Sequence, residues 1–127
     1  MADKLSIMML SWRAYATARR TLDSYAKSGL AGCGDEFFVH FNQRCAADDD
    51  LADVFGVRAC GSADNLGIWG GMDAMAREAA GDLLLFLQND HDVVVSMEET
   101  RKWIHDARRL VSEDRADIVL LWNRFER

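Results

Sequence analysis

Two carboxylates separated by one residue, Asp90 and Asp92, are the side chains of this chain best placed to do chemistry. They follow the apolar run at residues 83–87, which is typical of a strand covered on both faces of a parallel sheet. Ligands of α/β proteins collect at the carboxyl ends of such strands. If extended backbone continues through Asp92, both carboxylates point to the same side. Two hard oxygen ligands there suit Mg²⁺ or Mn²⁺ with a substrate diphosphate, and a solvated acidic turn is the alternative.

The elements that must position this pair alternate between strand and helix. Ser11 is predicted to cap the first helix, and Ser96 opens a capping box with Glu99. The alternation predicts a mostly parallel, three-layer α/β/α sandwich in which residues 83–87 form a central strand and the helix at 65–80 is largely buried. Predicted strands cover residues 5–10, 36–41, 57–60, 83–87 and 117–122, and predicted helices cover 13–28, a short segment from 48, 65–80 and 96–111.

The composition and the absence of certain motifs argue against several classes of protein. The 127 residues fit one domain, and the net charge of −6 argues against broad nucleic-acid binding, which needs a basic surface. No leader segment and no 18-residue apolar run occurs, so we expect a cytoplasmic protein with no membrane span and with its three cysteines reduced. The first strand-to-helix turn has no glycine-rich dinucleotide or P-loop motif, and no Gly-x-Ser-x-Gly elbow occurs.

Three short motifs together resemble a known family. Asn65-Leu-Gly67 opens a predicted helix, Ala80-Gly-Asp82 precedes the apolar strand, and Asn89-Asp-His-Asp92 follows it. With Ser11-Trp12-Arg13 after the first strand, this order resembles the nucleotide-binding half of family-two-like glycosyltransferases of the GT-A fold, over residues 4–122. The resemblance implies a GT-A-like, Rossmann-like domain that uses a nucleotide-diphosphate sugar, Mn²⁺ or Mg²⁺, and a saccharide or lipid-linked acceptor that these residues do not identify.

The resemblance also implies roles for single residues. Trp12 would stack on the base, with a buried core position as its alternative. The family usually has Asp at the end of its second strand, and here Asn42 would hydrogen-bond a base edge instead. Asn65 and Gly67 would approach the nucleotide, with helix capping as their alternative. The implied nucleotide-sugar-binding residues are Ser11, Trp12, Arg13, Asn42, Asn65, Gly67, Asp73 and Asp90, and the implied metal ligands are Asp90 and Asp92.

Other polar and glycine residues have competing interpretations. His91 is either a further metal ligand or a solvated loop histidine, while His40 and His105 are interpreted as structural. Gly70 and Gly71 weaken a helix by about 1 kcal/mol each relative to alanine, which suggests crowding by a ligand or by a neighbouring strand.

The family continues beyond its fifth strand into an acceptor-binding region with the catalytic base, and this chain shows neither. We therefore expect either a fragment truncated at its C-terminus or a reduced domain that binds a nucleotide sugar without transferring it. In both cases the chain alone is expected to bind the donor weakly and to transfer no sugar. The predicted strand at 117–122 is expected to favour self-association, because an unpaired edge recruits another strand. The alternative is a non-catalytic α/β nucleotide-binding or regulatory module, and a nucleotidyltransferase is disfavoured because the first loop is not glycine-rich.

Overall fold

The computed structural model describes residues 3–121 and forms one parallel sheet flanked by helices. The strands lie in the order β3-β2-β1-β4, so the chain builds outward from β1 in one direction and then returns to its other side. The elements are β1 (Leu5–Ser11), α1 (Tyr15–Ser28), a 3₁₀ turn (Leu30–Gly32), β2 (Glu36–Phe41), α2 (Ala46–Phe55), β3 (Arg58–Gly61), α3 (Gly67–Glu78), β4 (Leu83–Gln88) and α4 (Met97–Ser112).

The sheet is covered on both faces, which confirms the predicted α/β/α architecture. Every residue of β1 is buried. One face of the sheet packs in a cluster that includes Leu22 of α1, Leu51 of α2 and Ile104 of α4. The opposite face packs against Met75 of α3. Alternate residues of each strand serve the two faces, as the two-residue period of a strand requires.

The prediction that residues 83–87 form a central strand was wrong. In the part of the chain that the structure describes, β1 and β2 are the internal strands, and β4 pairs with β1 alone. Leu85 packs in one apolar cluster and Phe86 in the other, whereas Leu84 is 38% exposed. An apolar run indicates that both faces of a strand are covered by other parts of the protein. It does not indicate whether a second strand pairs with its free edge.

Two further local predictions were wrong, and one was confirmed. Ser11 does not cap α1, because it is the last residue of β1 and α1 begins only at Tyr15. The predicted fifth strand is absent from residues 117–121, where Ile118 and Leu120 are exposed; Trp122 lies outside the described residues. Ser96 does cap α4, since its Oγ accepts a hydrogen bond from the Glu99 amide at 3.1 Å.

The helix α3 is mostly exposed, contrary to prediction. Of its residues only Gly71 and Met75 are buried, while Ile68 and Trp69 are exposed. A Cβ built on Gly71 would lie 2.5 Å from Leu10 Cδ1, which confirms crowding by a strand at this glycine. One narrow stripe of α3 therefore touches the sheet and the rest faces solvent. No helix within residues 3–121 is both long enough and apolar enough to span a bilayer.

Candidate functional site

A cleft of about 300 Å³ opens at the carboxyl ends of the parallel strands. It lies where β1 and β4 separate, which is the point at which the strand order reverses. Open α/β sheets bind their ligands at such a point, because the loops diverge there and leave space. The lining residues come from the ends of β1 and β4, the loops after β1, β2 and β4, and the entry to α3, and they are Leu10, Trp12, Asn42, Asn65, Gly67, Ile68, Gln88 and Asn89.

Trp12 and Arg13 stand at the edge of this cleft on a sharp turn. Arg13 and Ala14 have φ values of 55° and 53°, a left-handed pair that breaks the path between β1 and α1. The Arg13 guanidinium lies 5.7 Å from the centroid of the Trp12 ring. Both side chains donate to Gln43 Oε1, Trp12 Nε1 at 3.4 Å and Arg13 Nη2 at 3.2 Å. Trp12 is about half exposed and is therefore not a core aromatic.

Asn42 follows β2 directly and is buried beneath the cleft. Its Nδ2 donates to the Gly67 carbonyl at 3.0 Å, and its Oδ1 lies 3.2 Å from His40 Nε2 and accepts from Ser62 Oγ at 3.4 Å. Burial holds the pKa of His40 below its usual value, which favours a neutral ring with the proton on Nε2. Both ends of the Asn42 amide are thus engaged by the protein.

Asn65 and Gly67 form the entry to α3. Asn65 Oδ1 accepts a hydrogen bond from the Gly67 amide at 3.0 Å, and Gly67 has a φ of 72°, which a side chain would strain. A Cβ on Gly67 would meet no atom within 4 Å, so conformation rather than space requires glycine here. The two residues therefore shape the backbone turn and also line the cleft.

The acidic pair lies in a turn rather than in continued strand. The His91 amide donates to the Gln88 carbonyl at 3.0 Å and closes a β-turn, so the predicted extended path through Asp90 to Asp92 was wrong. Both carboxylates are exposed. The nearest basic side chain to Asp90 is His91, with Nε2 at 3.9 Å, and Asp92 has no ion pair among residues 3–121.

His91 is not poised as a metal ligand. Its Nδ1 accepts a hydrogen bond from the Gln88 amide at 3.1 Å, which places the proton of the neutral ring on Nε2. A ring nitrogen must be free of its proton to bind a metal, so Nε2 would first have to lose it. The ring instead supports the turn that carries Asp90.

The two carboxylates fit a hard divalent cation only as part of its coordination shell. The described residues contain no group of three or more His, Cys, Asp or Glu side chains that could hold a metal. Burial raises the pKa of Tyr25, and the negative charges of Asp92 and Asp90 raise it further. Exposed carboxylates without cationic partners suit Mg²⁺, which keeps several waters and takes other ligands from substrate phosphates.

Other predicted site residues lie outside the cleft lining. Ser11 is buried behind it, where its Oγ accepts from Asn89 Nδ2 at 3.3 Å. Asp73 lies on the exposed side of α3 and pairs with Arg77 at 2.9 Å. The sequence reasoning did not assign four of the lining residues to the site, and these are Leu10, Ile68, Gln88 and Asn89. Their positions at the carboxyl ends of β1 and β4 and in the first turn of α3 were the available signal.

The Ala80-Gly-Asp82 motif lies at the amino end of β4, at the other end of the sheet from the cleft. The Gly81 amide donates to Ser6 Oγ at 2.8 Å, and Asp82 Oδ2 accepts from the Lys4 amide at 3.2 Å. A Cβ on Gly81 would lie 2.8 Å from both the Lys4 carbonyl oxygen and the Ser6 nitrogen. This motif joins β4 to β1 and does not touch the cleft.

Comparison with known proteins shows the fold. No protein-family model and no curated protein matches the chain. Glucosyl-3-phosphoglycerate synthase from Mycobacterium tuberculosis in complex with uridine diphosphate is similar in structure, with a TM-score of 0.58 and 17% identity over 70% of this chain and 34% of that one. S. aureus TarS 1-349 has a TM-score of 0.58 and 20% identity over 90% of this chain and 34% of its own.

A third similar structure is a nucleotidyl transferase from Methanothermobacter, with a TM-score of 0.61 and 15% identity over 82% of this chain and 58% of that one. This chain spans about a third of the length of the synthase and of TarS 1-349. The described residues therefore have the GT-A-like fold expected from the sequence.

Proposed function

We propose that this chain is the donor-binding part of a metal-dependent glycosyltransferase that uses a nucleotide-diphosphate sugar. The cleft at the reversal of a 3-2-1-4 parallel sheet, with an acidic turn following one of its strands, carries this proposal. The similar synthase structures hold uridine diphosphate, with Mn²⁺ or Mg²⁺ in two of them, which supports a donor of this kind.

The side chains around the cleft suit the parts of such a donor. The half-exposed ring of Trp12 would stack on the base, a contact that contributes about 1–3 kcal/mol in nucleic-acid binders. Gln88 and Asn89 line the cleft and would hydrogen-bond the ribose or the base edge. Gly67 has no side chain, so the ligand can approach its backbone closely. Arg13, which has no carboxylate partner among the described residues, would face a phosphate.

Asp90 and Asp92 would hold the divalent ion. When bound, that ion supplies positive charge that offsets the charge developing on the departing nucleotide diphosphate. The two carboxylates would also repel a diphosphate that arrives without a metal, which makes binding metal-dependent. Asp73 would have to leave Arg77 to reach the donor, so it is the predicted binding residue with the least support.

Two other functions fit the same fold. The similarity to a nucleotidyl transferase, of which this chain covers 58%, favours nucleotidyl transfer as the second candidate. That reaction releases pyrophosphate from a nucleoside triphosphate, whereas glycosyl transfer releases a nucleoside diphosphate. A non-catalytic nucleotide-binding or regulatory module would release neither. Incubation with nucleoside triphosphates, followed by an assay for pyrophosphate, tests nucleotidyl transfer. Mn²⁺-dependent binding of a nucleotide-diphosphate sugar separates the donor-binding part from a module that binds a nucleotide without a metal.

We predict that Asp90→Ala abolishes Mn²⁺-dependent binding of UDP in calorimetry and leaves the melting temperature nearly unchanged. The carboxylate is exposed and has only His91 nearby, so it contributes little to folding. Asp53→Ala is the matched control, because Asp53 is an exposed carboxylate on α2 away from the cleft. Equal Mn²⁺-dependent affinity in the wild type and in Asp90→Ala would exclude the proposed role of Asp90.

A further inference from the structure

We propose that Thr21, Ser24 and Tyr25 of α1 are positioning residues that hold the acidic turn at residues 89–93. This hydroxyl clamp fixes where Asp90 and Asp92 stand. The inference rests on the proposed function for the purpose of the turn, and on the contacts of the three hydroxyls for its geometry.

Each hydroxyl of the clamp bonds a different backbone group of the turn. Thr21 Oγ1 donates to the Asn89 carbonyl oxygen at 2.6 Å, and the Tyr25 hydroxyl donates to the His91 carbonyl oxygen at 2.7 Å. Ser24 Oγ accepts from the Val93 amide at 2.9 Å. The three residues follow i, i+3, i+4 spacing, so they share one face of the helix.

Packing alone does not explain these hydroxyls. Thr21 and Tyr25 are both 0% exposed. Valine and phenylalanine would fill nearly the same space without a polar group, and a buried hydroxyl costs free energy unless it is hydrogen-bonded. The Tyr25 ring is itself held in the core by an edge-on contact with Phe37, with ring centroids 6.0 Å apart. The hydroxyls of Thr21 and Tyr25 are thus held in place by the core, and the backbone of the turn is hydrogen-bonded to them.

The clamp engages alternate residues of the turn. Backbone groups of Asn89, His91 and Val93 face α1, while the intervening Asp90 and Asp92 remain exposed. Asn89 is held a second time, through its side chain, by Ser11. Metal ligands that are held in place by outer groups bind more tightly, and loss of such a group typically costs 10–100-fold in metal affinity. The clamp therefore fixes the backbone that carries Asp90 and Asp92. No Lys or Arg side chain among the described residues pairs with these two carboxylates.

The test removes single hydroxyls with little change of shape. In Thr21→Val and Tyr25→Phe we expect Mn²⁺ affinity, measured by electron paramagnetic resonance with UDP present, to fall about tenfold or more. Hydrogen exchange of the amides at residues 89–93 should become faster in the same variants. Thr21→Ser keeps the hydroxyl and should retain most of the affinity. Tyr15→Phe is the control, because the Tyr15 hydroxyl lies 3.4 Å from Cys45 Sγ and does not contact the turn.

Each outcome decides one of the two proposals. Wild-type Mn²⁺ affinity in both Thr21→Val and Tyr25→Phe, measured well below their melting temperatures, would overturn the clamp as a positioning device. If the wild type itself binds no Mn²⁺ with UDP, the proposed function fails. Hydrogen exchange then tests only whether the clamp holds the turn. Unchanged exchange at residues 89–93 in both variants would overturn the clamp. Should one variant not fold, the other and Ser24→Ala give the same two readouts.

Discussion

At the residue scale, Asn42 links the end of β2 to the start of α3. One end of its amide donates to the Gly67 carbonyl, and the other accepts from Ser62 Oγ and faces His40 Nε2. A buried amide that is satisfied on both sides has little left for a ligand. We therefore expect Asn42 to set the shape of the cleft, while its predicted hydrogen bond to a base edge stays a prediction.

Asn42→Asp separates these two roles. The substitution replaces the Nδ2 donor with a second acceptor that faces the Gly67 carbonyl, so we expect stability to fall by about 1–3 kcal/mol in urea denaturation. The relative affinities for UDP, ADP and GDP should not change. Asn65→Asp is the control, because it keeps the Oδ1 acceptor of the Gly67 amide. A changed base preference with unchanged stability would show that Asn42 contacts the base.

At the scale of elements, the register of β4 against β1 places the acidic turn beside the cleft. Leu5 lies opposite Leu83 and Leu10 opposite Gln88. The start of β4 is held by Gly81, which packs directly on the backbone of β1. Because β4 is only six residues long, a displacement of its first residues relative to β1 would also displace the turn that follows it.

We predict that Gly81→Ala destabilises the fold by about 1–3 kcal/mol in urea denaturation, with an unchanged denaturant slope. The added Cβ would lie 2.8 Å from the Lys4 carbonyl oxygen and the Ser6 nitrogen at the start of β1, and backbone atoms cannot rotate away as a side chain can. The control is Gly32→Ala, where a Cβ would meet no atom within 4 Å. Equal stability in Gly81→Ala and the wild type would contradict the tight contact between β4 and β1.

At the scale of the whole molecule, the described sheet has two free edges, β3 and β4. β4 has no second strand partner among residues 3–121, and Leu84 on it is 38% exposed. Beyond α4, Ile118 and Leu120 are 80% and 77% exposed. An unpaired strand edge together with an unpaired apolar segment favours pairing between chains. We propose that two copies associate through the free edge of β4.

This proposal predicts concentration-dependent dimers in sedimentation velocity, and Leu84→Lys should shift the chain to monomer. A lysine on an edge strand opposes strand addition because pairing would bury its charge. Val54→Lys, a similar substitution on α2 at an exposed position, should leave the association unchanged. A chain that is monomeric at every concentration, or equal effects of the two lysines, would contradict this interface.

The sequence by itself determined the order of the four strands and four helices up to α4, and the parallel α/β architecture. These follow from local periodicity and from turn and cap residues, which act over a few neighbours along the chain. It also placed Asp90 and Asp92 directly after an apolar strand, which is a local fact. Ser96 at the start of α4 is another such fact, and its cap was confirmed.

Only the tertiary structure decided which surfaces these elements show and which side chains meet. β4 lies at the edge of the described sheet, α3 exposes most of its apolar residues, and Asn42 bonds within the protein. The clamp joins Thr21 to Asn89 across 68 positions and Tyr25 to His91 across 66. No local pattern encodes such a pairing, because its partners become neighbours only when β4 lies beside β1 and α1 packs over both.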